Sequence, residues 1–313
     1  MLGKTAGGLY WMFRYLERSE NTARLVHAGH RIAMTRSTAA QDEWASILAT
    51  AGADAAYRAR YDSYDGPSVV DFLLRDRDNP SSVMSVIEAS RNNARLVRTA
   101  LTREVWEAVN GCWMVLKDLL ARRVNERDLP HVLTTIRERS AFVRGALHGT
   151  MVRNEAYDFA RIGTFLERAD NTARILDVKY YVLLPSALHV GSSLDNVQWE
   201  TILRSVSAEG SFRYLHGGDV RPLAIADFLI LDRRLPRSLA FCASKIGDNL
   251  GYLAEEYGAR MPCHDMSDEI CASLRTSTID GIFERGLHEC IQSFIRANND
   301  LGAQIEIDFK FNG

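Results

Sequence analysis

The sequence predicts an all-α helical bundle formed by an internal tandem duplication, with its halves related by a pseudo-two-fold axis. Three observations carry this expectation. A ten-residue segment occurs twice, apolar residues recur at helical spacing along most of the chain, and alternating β-type runs are nearly absent. The repeat is the firmest of the three. Residues 15–24 (YLERSENTAR) and 165–174 (FLERADNTAR) are identical at seven of ten positions, at an offset of 150. Trp44, Ile47 and Leu48 recur as Trp199, Ile202 and Leu203 at an offset of 155. Asp71, Phe72, Leu73, Asp76, Pro80 and Ser82 recur as Asp227, Phe228, Leu229, Asp232, Pro236 and Ser238 at 156. Ordered matches at a nearly constant offset point to two halves, 1–150 and 151–313, which together make one domain.

Both copies of the segment sit in helix-like sequence. Leu9, Met12, Phe13, Leu16, Ala23 and Val26 fall at i, i+3, i+4 and i+7 spacings, as do Ile162, Leu166, Ala173 and Leu176. The first helix is expected over about 6–35 and the second over about 154–184, stopped by Pro185. Further helical patterns cover 41–52, 81–122, 130–151, 197–209, 223–231, 236–258, 267–275 and 277–308. Breaks are expected at Asp65-Gly66-Pro67, Asn79-Pro80, 185–193, Gly217-Gly218 and Met261-Pro262. Pro80 and Pro236 look like first-turn residues of helices.

Composition narrows the class of protein. With 46% hydrophobic and 25% charged residues, the chain has material for an ordinary globular core. A net charge of −2 gives no global basic field, so neither nucleic acid nor an anionic membrane is expected as a partner. The five cysteines are odd in number and form no CxxC pair, which reads as reduced thiols. No leader-like N-terminal run and no apolar stretch of membrane-spanning length is evident, so a cytoplasmic location is expected.

The repeated segment carries a polar stripe. Glu17, Glu20, Asn21 and Arg24 lie within about 100° on a helical wheel, and Glu167, Asp170, Asn171 and Arg174 repeat them. Glu20–Arg24 and Asp170–Arg174 are i,i+4 pairs worth only about 0.2–0.5 kcal/mol, and an interior Asn costs roughly half a kcal/mol against Ala. Helix propensity alone does not explain the stripe. Two readings stay open: a buried ionic and amide network that fixes helix register, or a binding site in which Arg18, Arg24, Arg168 and Arg174 clamp an anion while Glu and Asn take amines or amides. Arg14, Arg153 and Glu155 are candidates for the same pocket.

Other chemistry finds little support. Gly3-Lys4-Thr5 lacks the upstream glycine and strand of a phosphate loop. Cys263-His264-Asp265 and His288-Glu289-Cys290 have no partner pair at zinc spacing, and no Glu is followed three residues later by His, so neither a metal nor another cofactor is expected. No GxSxG or comparable nucleophile motif occurs.

The two segments 10–24 and 165–174 resemble the bacterial Alpha-E family, an all-helical family named for its Glu-Arg motif. Asp227-Phe228-Leu229, Pro236-Arg237-Ser238, Gly286-Leu287-His288, Ser293-Phe294, Asn298-Asn299 and Leu301 extend the likeness over essentially the whole chain. The family's usual acidic residue and Asn near the start are replaced here by Gly7 and Gly8. The resemblance implies Glu17, Arg18, Glu167 and Arg168 as functional positions. It also implies partnership with a circularly permuted ATP-grasp peptide ligase, with a transglutaminase-like protein and a peptide substrate as further associates. An accessory or substrate-binding role without independent catalysis is therefore expected. The rival readings are an enzyme using Glu17 or Glu167 as general base with an Arg anion clamp, and a purely structural helical scaffold.

Overall fold

The computed structural model describes residues 1–35, 40–182, 193–217 and 221–311. Among them are fifteen α-helices and no strand. At the centre stand two long helices, α1 (Gly3–Thr35) and α8 (Glu155–Val182), each carrying one copy of the repeated segment. Tyr10 meets Gly163, Arg14 meets Glu167, and Glu17 meets Arg168, so the contacts climb both helices together and the pair runs parallel. Gly163 makes the close approach feasible: a Cβ there lies 2.2 Å from the Tyr10 carbonyl oxygen.

The other helices wrap this pair in two matching sets. In the first half they are α2 (Ala40–Thr50), α3 (Asp54–Arg58), α4 (Gly66–Leu74), α5 (Val83–Leu96), α6 (Arg103–Leu119) and α7 (Leu129–Thr150). In the second they are α9 (Ser193–Ser205), α10 (Glu209–His216), α11 (Pro222–Ile230), α12 (Leu239–Tyr257), α13 (Pro262–Thr276), α14 (Ile279–Arg285) and α15 (Leu287–Asp308). α5 and α7 pack on α1 as α12 and α15 pack on α8, and α6 and α13 each lie against both flanking helices of their half. α2 and α9 each touch both central helices, which stitches the halves together.

The core follows from the helical spacing. Leu9, Met12, Phe13, Leu16, Ala23 and Val26 of α1 are buried, as are Ile162, Leu166, Ala173 and Leu176 of α8. Trp44 and Trp199 occupy matching buried places on α2 and α9. The central helices are covered well beyond an apolar stripe, so Glu17, Ser19, Glu20, Asn21, Glu167 and Thr172 are buried too. Buried polar groups must find partners within the protein.

Several expected boundaries differ. The pattern over 81–122 divides into α5 and α6 because Thr102 caps a new start, its hydroxyl accepting from Val105 N. The pattern over 277–308 divides into α14 and α15 at Gly286, whose φ of +98° a helix does not tolerate. Pro80 and Pro236 precede the caps Ser82 and Ser238 and do not sit in a first turn. The short α3 and the helix α4 have no sequence forecast, α10 extends a pattern expected to end at 209, and α13 begins at Pro262, ahead of the expected 267. The expected stop at Pro185 and the break through Ser193 fall largely on 183–192, outside the described residues, as does Gly218.

Gly163→Ala is expected to force the central helices apart and lower stability by about 1–3 kcal/mol, read as a smaller urea midpoint at unchanged m-value.

Candidate functional site

The two Glu-Arg pairs exchange partners across the central helices. Arg168 places Nε and Nη2 on the two carboxylate oxygens of Glu17, each at 2.9 Å. Arg18 does the same to Glu167, at 2.5 and 2.9 Å. Each helix thus gives one acid and one guanidinium to the other, an isologous contact made within a single chain. The planar fork of Arg matches a carboxylate at two points, and an ammonium has no equivalent geometry.

Further guanidiniums close around these acids. Arg144 of α7 reaches Glu17 at 3.3 Å and also pairs with Glu20. Arg237, in the turn before α12, meets Glu17 at 3.1 Å, Glu20 at 2.8 Å and Asn21 Oδ1 at 3.0 Å. Arg24 holds Glu20 from one turn below. On the other side, Arg14 meets Glu167 at 3.1 Å while stacking over Trp11, and Arg174 holds Asp170 at 2.6 Å. Residues 14, 17, 18, 20, 21 and 24 of α1 and 167, 168, 170, 171 and 174 of α8 therefore form one continuous polar seam.

Burial alone pushes the Glu17 carboxyl up, but Arg168, Arg237 and Arg144 outweigh it and hold the group far below the ordinary carboxylate range. Glu167 is shifted the same way, its burial overcome by Arg18 and Arg14. Burial pulls Arg237 down to about 10, against the attraction of Glu17, so it stays charged at neutral pH. Glu17 is 1% exposed and Glu167 5%. A general base needs a pKa near the working pH and access to a substrate proton. Both carboxylates fail the first requirement, and the sealed Glu17 fails the second as well.

The seam is not sealed along its whole length. A cavity of about 260 Å³ opens beside Asp170 and Asn171, walled by Arg18, Arg174, Asn21 and the 50–53 turn. Asn21 Nδ2 and Asp170 Oδ1 are buried without a hydrogen-bond partner among the described residues. Asn171 also makes no side-chain hydrogen bond there, although it is only 8% exposed. Of the motif residues singled out from sequence, Arg18, Asn21, Glu167, Asp170, Asn171 and Arg174 border this cavity. Glu17 and Arg168 lie in the sealed part, and Arg24 turns toward Ser207.

Arg153 and Glu155 belong elsewhere. They line a separate cavity of about 630 Å³ between the start of α8 and α12, where Glu155 accepts from the Met1 amino group at 2.8 Å and from the Tyr257 hydroxyl. Asp158 faces the same space, and burial pushes its carboxyl up to about 7. Arg144 and Arg237 were not singled out as site residues from sequence. Neither has a matching residue in the other half, so the repeat gave no signal for them. Among the described residues no cluster of His, Cys, Asp and Glu suits a metal ion, and His264 spends its ring on the Met261 and Leu250 backbone. No helix searched is long and apolar enough to cross a membrane.

Glu17→Gln leaves Arg168 and Arg237 without their carboxylate and is expected to cost about 3–5 kcal/mol in chemical denaturation. A carboxylate with a lowered folded pKa contributes stability above its unfolded value and loses it as pH falls, so the contribution of Glu17 and Glu167 should be complete above pH 4.5 and be lost below it. Asp158 has the opposite sign. Ionising it in the folded protein costs stability as pH climbs from 3.8 through about 7. Asp158→Asn should therefore melt higher than wild type at pH 8 and show no such gain at pH 5.

Comparison with known proteins agrees with this picture of paired Glu-Arg motifs on helices. Residues 1–309 match a family described as a predicted alpha-helical domain with a conserved ER motif, Alpha-E. Among curated proteins, Uncharacterized protein Mb2597 of Mycobacterium bovis is 26% identical over 294 residues, covering 86% of this chain and 32% of that protein. Uncharacterized protein Rv2567 of Mycobacterium tuberculosis is 25% identical with the same coverage. The chain thus spans 32% of the length of these relatives. No solved structure matches it. With the match running from end to end of the polar seam and its surrounding helices, the chain belongs to the Alpha-E family.

Proposed function

We propose that this chain is a non-catalytic, cytoplasmic partner of an ATP-grasp peptide ligase and holds the peptide or amino-acid substrate on which that ligase acts. One observation carries the reading. The motif carboxylates that chemistry would need are locked in ion pairs, whereas the adjoining cavity offers an unpaired amide donor, an unpaired carboxylate oxygen and a free Asn side chain. Amide and carboxylate groups with unmet hydrogen-bonding capacity suit the backbone and termini of a peptide. The hydroxyls at the cavity wall, Thr22, Thr50 and Ser81, have no histidine beside them among the described residues to act as a base.

Two further points support it. In the mycobacterial relatives the similar segment occupies 32% of a longer protein, so it works beside other sequence. The ligase itself, with a transglutaminase-like protein as a second associate, follows from the family resemblance. The tandem duplication belongs to the same proposal: one ancestral half gave the scaffold, and divergence of one face gave the cavity.

Co-expression with a circularly permuted ATP-grasp ligase from the same genome tests this directly. The ligase should co-purify with the wild-type chain, and mass spectrometry should show a modified peptide. Asn171→Leu combined with Arg174→Ala should cut the product about tenfold while the melting temperature moves by less than about 4 °C. Full product formed by the ligase alone defeats the proposal.

A further inference from the structure

We infer that the cavity beside Asp170 and Asn171 is a guanidinium site, built to receive arginine, free or at the end of a peptide. The inference rests on reading that cavity as a ligand site, and it does not require the ligase.

It comes from comparing the two halves of the seam. Around Glu17, Glu20 and Asn21 the decisive group is Arg237. Its Nη1 donates to Asn21 Oδ1 at 3.0 Å, its Nη2 donates to Glu20 Oε1 at 2.8 Å, and it is 7% exposed. The turn that carries it has a counterpart. Asp76, Pro80 and Ser82 recur as Asp232, Pro236 and Ser238. Ser82 and Ser238 cap α5 and α12 in the same way, accepting from Ser85 N and Phe241 N. The residue before the cap is Arg237 in one half and Ser81 in the other, and Ser81 lines the cavity. A short side chain therefore stands where a guanidinium fills the matching space.

The orphaned Asp170 Oδ1 is an acceptor of the kind a guanidinium satisfies. Asn21 Oδ1 and Glu20 accept from Arg237, while their counterparts, the Asn171 side chain and Asp170 Oδ1, have no hydrogen-bond donor among the described residues. The charges agree. Glu17 and Glu20 are met by Arg168, Arg24, Arg144 and Arg237. Glu167 and Asp170 are met by Arg18, Arg174 and Arg14 only, so the second set is one cation short. The opposite wall supplies what the rest of an arginine needs: Asn21 Nδ2 is unpaired, and the Arg18 side chain, 28% exposed, can receive a carboxylate or carbonyl. A lysine ammonium brings charge without the planar fork that bridges an amide and a carboxylate.

Titration of the purified chain with arginine, methylguanidine, lysine and glutamate, followed by calorimetry and thermal shift, tests the inference. Arginine should bind at least about tenfold more tightly than lysine, methylguanidine should raise the melting temperature, and glutamate should do nothing. Asp170→Asn should weaken arginine about tenfold. Ser81→Arg places the guanidinium in the chain itself and should abolish arginine binding while raising the melting temperature. Loss of stability in Arg237→Ser should be recovered in part by methylguanidine. The inference fails if arginine and methylguanidine leave the wild type unchanged, or if Ser81→Arg or Asp170→Asn binds arginine as well as wild type does. Arginine binding without ligase co-purification leaves this site standing and removes the proposed partner; co-purification without arginine binding does the reverse.

Discussion

The reciprocal forks between Glu17 and Arg168 and between Glu167 and Arg18 constrain everything around them. Two parallel helices covered on nearly every side have no solvent in which to leave a charge. Each acid must meet its guanidinium at one axial position or remain stranded, at a cost of several kcal/mol. Sliding α1 along α8 by one turn breaks both forks together, because each helix supplies both kinds of partner. The gap at Gly163, where α8 rides over the Tyr10 carbonyl, lets the backbones come close enough for forks of this length.

A seam of this kind is poor evidence for stability as such. A well-packed apolar seam of similar volume is often as stable or more so. What the ions supply is selectivity among arrangements: apolar faces tolerate several registers, and a bidentate pair tolerates one. The scaffold reading and the proposed binding reading of the motif therefore overlap at Arg18 and Glu167, which pair with each other and also border the cavity. Glu17, Arg168, Arg18 and Glu167 set the register. Asp170, Asn171, Arg174 and Asn21 border the space that register leaves open.

The two halves share a plan but diverge at the seam. Arg144 and Arg237 crowd one end until it is closed, while Ser81 stands where the other half has Arg237. Arg14 of α1 gives Glu167 the additional guanidinium that Arg144 of α7 gives Glu17. Symmetry explains the clamp, and departure from symmetry explains the cavity.

Much of this was legible without coordinates. Apolar residues at 3.6-residue spacing specify helices locally, and the doubled segment marks which two of them carry the ionic groups, because both signals are written in nearest-neighbour chemistry. Helix ends were less legible, since Thr102 and Gly286 act through single backbone positions inside patterns that otherwise read as continuous. Only the tertiary structure decided that Glu17 takes Arg168 and not a neighbour on its own helix, that Arg153 and Glu155 face a different cavity, and that Arg144 and Arg237 seal one end of the seam. Those outcomes depend on which side chains, more than a hundred residues apart in sequence, come within about 3 Å once the helices pack, and no local pattern encodes that distance.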